Sequence, residues 1–83
     1  MRVEYKEGAI RQLIQLPPAF QKRITDKIDF YASQTNPLSS AKKLSGYGVY
    51  RYRIGNYRAL FEIEAGTLYV LRVVKREGAY RDL

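Results

Sequence analysis

Hydrophobic positions along the chain change their period from about 3.6 to 2 near residue 48. Ahead of that point, "RVEY" (2–5) alternates and reads as a short strand. "EGAIRQLIQL" sets Ile10, Leu13 and Ile14 at helical spacing, flanked by Ala9 and Leu16. Pro17-Pro18 ends that helix, because the residue before a proline is pushed out of the helical region. Pro18 suits the first position of a second helix, where a missing N–H costs nothing. Phe20, Ile24, Ile28 and Tyr31 form its apolar stripe as far as "TNP", near Asn36. "NPLSSAKKLSGYG" reads as a polar connection. Three strands of period two follow, at about 48–54, 57–63 and 67–75. The order β-α-α-β-β-β predicts an α+β fold, with a helical hairpin on one face of a small antiparallel sheet.

The breaks between these strands fix a register. "IGNY" reads as a two-residue hairpin loop at Gly55-Asn56. It sets Ile54 opposite Tyr57, Arg53 opposite Arg58, Tyr52 opposite Ala59 and Arg51 opposite Leu60. Tyr50, Tyr52, Ile54, Tyr57, Ala59, Phe61 and Ile63 then share the face assigned to the helices, and Arg51, Arg53 and Arg58 share the other. An even-length loop at "EAGT" pairs Ile63 with Leu68 and adds Leu68, Val70 and Val74 to the helix side. Glu62, Lys75, Leu60, Leu71 and Val73 fall on the arginine face. Arg72 falls on the apolar face, where strict alternation explains it only as a chain-end side chain reaching for solvent.

With 83 residues there is room for one domain and one core. No apolar run reaches the ~20 residues that span a bilayer, and the N-terminus lacks a signal-peptide pattern. A soluble, cytoplasmic protein without membrane association is expected. Cysteine and histidine are both absent, which excludes disulfides, thiolate chemistry and the usual base of neutral-pH catalysis. The net charge is +7. Residues 1–41 hold six basic and four acidic side chains, and residues 42–83 hold nine and four, so the surplus lies in the second half. Such an excess fits a polyanionic partner, nucleic acid or an acidic protein segment, and equally a basic surface kept for solubility.

Three arginines at one hairpin sharpen that choice. Like charges directly opposite across two strands are destabilising. Arg53 against Arg58, with Arg51 beside them, therefore costs stability unless an anion sits between them. Removing Arg58 is accordingly expected to leave stability unchanged or slightly raised. Arginine grips phosphate in a bidentate fork. Charges that merely blunt a sheet against aggregation are the competing reading, but scattered lysines of mixed company would serve that purpose better. The tail "VVKREGAYRDL" adds Lys75 and Arg76 at the strand end and Tyr80 beyond it. Tyr80 reads either as a stacking platform for an RNA base or as a hydrophobic plug.

The element order, the hairpin "YRYRIGNYRALFEI" and the ending "VVKREGAY" together resemble the RelE/ParE superfamily of type II toxin–antitoxin toxins, RelE-like branch. The resemblance covers nearly the whole chain, 1–83, as one toxin domain. It implies a ribosome-dependent mRNA endoribonuclease that needs no metal or other cofactor and uses the 2′-hydroxyl to attack the adjacent phosphate. Arg51, Arg53, Arg58, Arg76 and Tyr80 match the family's catalytic positions, and Lys75, Arg81, Lys42 and Lys43 are assigned to RNA contacts. Arg51 and Arg53 stand where some relatives have lysine, and arginine does not readily release a proton. The general base is therefore unassigned among Lys75, Glu62 and Glu77. The implied partners are a cognate antitoxin with an acidic or amphipathic segment, the ribosome and its mRNA, and operator DNA through the antitoxin complex alone. Two alternatives keep the fold: a ParE-like inhibitor of DNA gyrase, and a catalytically inactive binding module.

Overall fold

The computed structural model describes residues 1–44 and 48–76. The elements run β1 (Arg2–Tyr5), α1 (Glu7–Ile14), α2 (Pro18–Ala32), β2 (Ala41–Leu44), β3 (Val49–Ile54), β4 (Tyr57–Glu64) and β5 (Thr67–Lys75). The five strands form one sheet in the order β1-β5-β4-β3-β2. Its pairs are antiparallel except β1–β5, which is parallel, so the sheet is mixed and the first strand of the chain lies beside the last. Both helices lie on one face, giving the expected α+β arrangement.

Three expectations about elements are corrected. The connection before residue 48 contains a strand, β2, which pairs with β3 through Ala41↔Tyr52 and Leu44↔Val49. Its sequence, AKKL, is too short and too polar to register as a period. Helix α2 stops at Ala32 rather than near Asn36, with the Ser33 N–H closing onto the Asp29 carbonyl. In α1, Ala9 and Leu13 are buried, whereas Ile10 and Ile14 of the expected stripe are 46% and 67% exposed. An eight-residue helix packed chiefly on one strand, β5, has a narrow contact line, and those two residues fall outside it.

The core sits between helices and sheet. Ala9, Leu13, Ile24, Ile28 and Ala32 meet Tyr52, Ile54, Ala59, Phe61, Leu68, Val70 and Val73. Tyr52 and Phe61 are completely buried, with ring centroids 4.2 Å apart, and the Tyr52 hydroxyl donates to the Pro37 carbonyl at 2.7 Å. Burying that ring with its hydroxyl satisfied avoids the cost of an orphaned donor.

The β3–β4 register is the one the two-residue loop predicts, residue for residue from Ile54↔Tyr57 to Arg51↔Leu60. Gly55 has φ 59 and Asn56 is not among the positive-φ residues, the pattern of a type II′ turn. The β4–β5 loop also holds its register, with Ile63 opposite Leu68 and positive φ at both Ala65 and Gly66, as a type I′ turn requires.

Beyond Phe61↔Val70 the register shifts by one: Leu60 pairs with Arg72, and Leu71 is the extra residue. This β-bulge reverses the facing of every later residue in β5. Val73, expected on the arginine face, is 4% exposed in the helix-side core. Val74, expected in the core, pairs with Arg58 on the other face, and Lys75 moves to the helix side opposite Tyr57. Arg72 joins the arginine face, which removes the anomaly that strict alternation left.

Candidate functional site

Pairing across β2, β3, β4 and β5 lines up the cations of the helix-free face in two neighbouring rungs. One runs Lys42–Arg51–Leu60–Arg72 and the next Arg53–Arg58–Val74. Strands lie about 4.8 Å apart, so these five cations occupy one compact field. A small apolar cluster of Leu44, Val49 and Leu60, with Leu71 against it, underlies the same face. Glu62, half-buried and two residues along β4 from Leu60, is also on this face, as the register predicts.

Burial divides the arginines. Arg51 is 9% and Arg58 4% exposed, whereas Arg53 and Arg72 are exposed. The Arg58 guanidinium turns toward the hairpin end, where Nη1 donates to the Tyr57 carbonyl at 2.9 Å and the Gly55 carbonyl at 3.3 Å. Arg53 and Arg58 are opposite one another, as predicted, but these carbonyls offset the repulsion and make Arg58 a strut of the turn. The expectation that removing Arg58 leaves stability unchanged is therefore revised.

Other predicted residues lie elsewhere. Lys43 pairs with Tyr50 and so belongs to the helix-side rows, apart from Lys42. Lys75 is separated from the arginine face by the bulge, which withdraws the geometric basis for treating it as that site's base. The Arg76 N–H donates to the Asn56 carbonyl at 2.9 Å, and Arg76 and Lys75 are among the residues lining a cleft beside α2. Tyr80, Arg81 and Glu77 lie outside the described residues. Sequence reasoning missed Arg72; the signal was there, since a charge that breaks the alternation of a strand is a mark of a bulge. Among the described residues no three His, Cys, Asp or Glu side chains gather to hold a metal, and no helix is long and apolar enough to cross a membrane.

This arrangement can bind a polyanion. Arg51 is buried in the sheet, and Arg53 and Arg72 are exposed on the same face. Fixed cations of this kind stabilise negative charge that develops on a phosphate without having to reorganise during reaction.

The comparisons agree with the fold and the resemblance. The family model for the ParE toxin of type II toxin–antitoxin systems (parDE) matches residues 3–80. Toxin RelE3 of Methanocaldococcus jannaschii is 32% identical over 85 residues, covering 96% of each chain. A chain of the toxin–antitoxin complex RelBE2 from Mycobacterium tuberculosis superposes with a TM-score of 0.74 at 30% identity, covering 90% of this chain and 96% of that one. A chain of the archaeal RelE–RelB complex from Pyrococcus horikoshii gives 0.73 at 26% identity, covering 90% and 93%. With a family model along almost its whole length and a full-length toxin relative, this chain belongs to the RelE/ParE superfamily of type II toxin–antitoxin toxins, as a RelE-like member.

Proposed function

We propose that the chain is a ribosome-dependent mRNA endoribonuclease, held inactive by a cognate antitoxin and arresting translation when released. The observation that carries this reading is the helix-free face, where Lys42, Arg51, Arg72, Arg53 and Arg58 occupy adjacent rungs. In the proposed reaction the ribose 2′-hydroxyl attacks the adjacent phosphorus and the P–O5′ bond breaks. The products are a 2′,3′-cyclic phosphate and a 5′-hydroxyl end. Arg51, Arg53 and Arg72 stabilise the added negative charge at phosphorus, and Arg58 holds the turn of the hairpin that carries Arg51 and Arg53. Arg76 and Tyr80 are retained as candidate substrate contacts from the family resemblance. The similar chains from Mycobacterium tuberculosis and Pyrococcus horikoshii come from toxin–antitoxin complexes, which supports an antitoxin partner for this chain. The ribosome and mRNA remain the proposed targets, with operator DNA approached through the antitoxin complex.

Primer extension on a defined mRNA tests the reading, with purified protein added to programmed ribosomes or to mRNA alone. We expect cuts at A-site positions that require the ribosome and fall at least tenfold in Arg53→Ala. Arg53 is the better control than Arg58 because it is exposed. The matching family model is that of ParE, which favours gyrase inhibition as the second reading. Absence of cuts together with inhibited DNA supercoiling would replace the first reading by that one.

A further inference from the structure

A second group of cations lies on the opposite side of the β3–β4 hairpin. A cleft of about 470 Å³ opens between α2, the Gly55–Asn56 turn and the end of β5. Phe20, Arg23, Tyr57, Lys75 and Arg76 are among its lining residues. Its volume is within the range of small-ligand clefts, about 300–1,000 Å³.

The cations are brought together by backbone features. A Cβ on Gly55 would lie 3.5 Å from Arg23 Nη2, so the glycine that the turn needs also borders the guanidinium. The Arg76 N–H bond to Asn56 ties the end of β5 to the same turn. The β5 bulge is what places Lys75 on this side, opposite Tyr57. Among the described residues, ion pairs join Arg2 to Glu4, Arg11 to Glu7 and Lys22 to Asp26, and none involves Arg23, Lys75 or Arg76. Three like charges sharing a cleft with no carboxylate among its described lining residues repel one another, and a bound anion relieves that repulsion. Beside them Phe20 is 41% exposed, its ring 6.1 Å from that of Tyr57 and tilted by 50°.

An acidic peptide would satisfy the cations but gives no reason for an exposed ring in the same cleft. A nucleotide accounts for both, because single-stranded nucleic acid is held by cations along the backbone and aromatic rings under the bases. We propose that this cleft is a nucleotide subsite for single-stranded RNA, with a phosphate on Arg23, Lys75 and Arg76 and a base against Phe20. The subsite rests on the reading of the chain as an RNA-acting toxin. The cleft and the arginine face meet at one turn, so a strand passing around Gly55–Asn56 engages both.

Amide NMR of the full chain, titrated with uridine 5′-monophosphate and separately with inorganic phosphate, tests the subsite. Both ligands should shift the amides of Gly55, Asn56, Lys75 and Arg76, and Arg23→Ala should abolish these shifts. Phe20→Ala should weaken the nucleotide about tenfold, in line with typical base–aromatic stacking, and leave phosphate unaffected. With a short 2′-O-methyl RNA, which cannot be cut, Arg23→Ala should lower the slope of log affinity against log salt by about 0.7. No nucleotide shifts at these amides, shifts confined to the arginine face, or binding of polyglutamate in place of nucleotide would each overturn the proposal. Since none of these measurements needs cleavage, a chain that cuts mRNA without binding nucleotide here would lose only the subsite. A chain that binds nucleotide here but never cuts would lose only the nuclease reading.

Discussion

At Arg58 a guanidinium that the strand register sets among other cations is 4% exposed and donates to two carbonyls of the adjoining turn. Its identity as part of a cationic hairpin was legible from Gly-Asn spacing alone. Its attachment to the Tyr57 and Gly55 carbonyls was not, because side-chain direction depends on burial. Truncation leaves those acceptors without a charged donor, which costs about 1.5–3 kcal/mol. Arg58→Ala should therefore lower the urea midpoint clearly, whereas the exposed Arg53→Ala should stay within about 0.5 kcal/mol of the parent. Equal midpoints for the two variants would show that the bonds of Arg58 to the turn carry no stability. Loss of activity in Arg58→Ala is consequently read only beside its stability, and Arg53 is the cleaner probe of the site.

The bulge at Leu71 is the element on which the two cationic sites depend. Without it Arg72 would point at the helices and Lys75 at the arginine face; with it the two exchange sides. Helix α1 is built to hold the irregularity. The Val73 N–H donates to Gln12 Oε1 at 2.7 Å, a partner 61 residues away in the chain. Gly8 lies over the same place, where a Cβ would be 3.4 Å from the Leu71 carbonyl oxygen. Gln12→Leu should cost about 1–3 kcal/mol by leaving that N–H without its acceptor. It should also speed hydrogen exchange at the Val73 amide. Gln12→Glu, which keeps an acceptor oxygen, should restore much of the protection. Unchanged exchange in Gln12→Leu would mean that the bulge is held by other contacts. Strand β2 belongs to the same scale: AKKL is a strand because the edge of β3 offers it a ladder, and its own residues carry no alternation of apolar and polar positions.

Across the whole molecule, two phenols sense the closure of the helix–sheet core. Burial, followed by the charge of Asp29, pushes the Tyr5 hydroxyl up to about 12. Burial, followed by Tyr31, does the same at Tyr52. The folded chain thus holds these protons more tightly than an unfolded chain with tyrosines near 10. Their contribution to stability is complete below pH 10 and is lost as pH rises through about 12. The denaturant midpoint should fall across that window, with tyrosinate absorbance rising in step, and Tyr5→Phe should shallow the fall. A midpoint independent of pH from 10 to 12 would sink this account. Period, proline placement and loop length along the chain determined two helices on one side, the β3–β4 register and the grouping of Arg51, Arg53 and Arg58, because each follows from local geometry between near neighbours. Tertiary structure alone decided the parallel pairing of β1 with β5, the bulge, the facing of Arg72 and Lys75, and the placing of Arg23 and Arg76 on one cleft. Those outcomes depend on contacts between residues far apart in the chain, such as the bond from the Val73 N–H to Gln12 Oε1 that joins the bulged strand to α1.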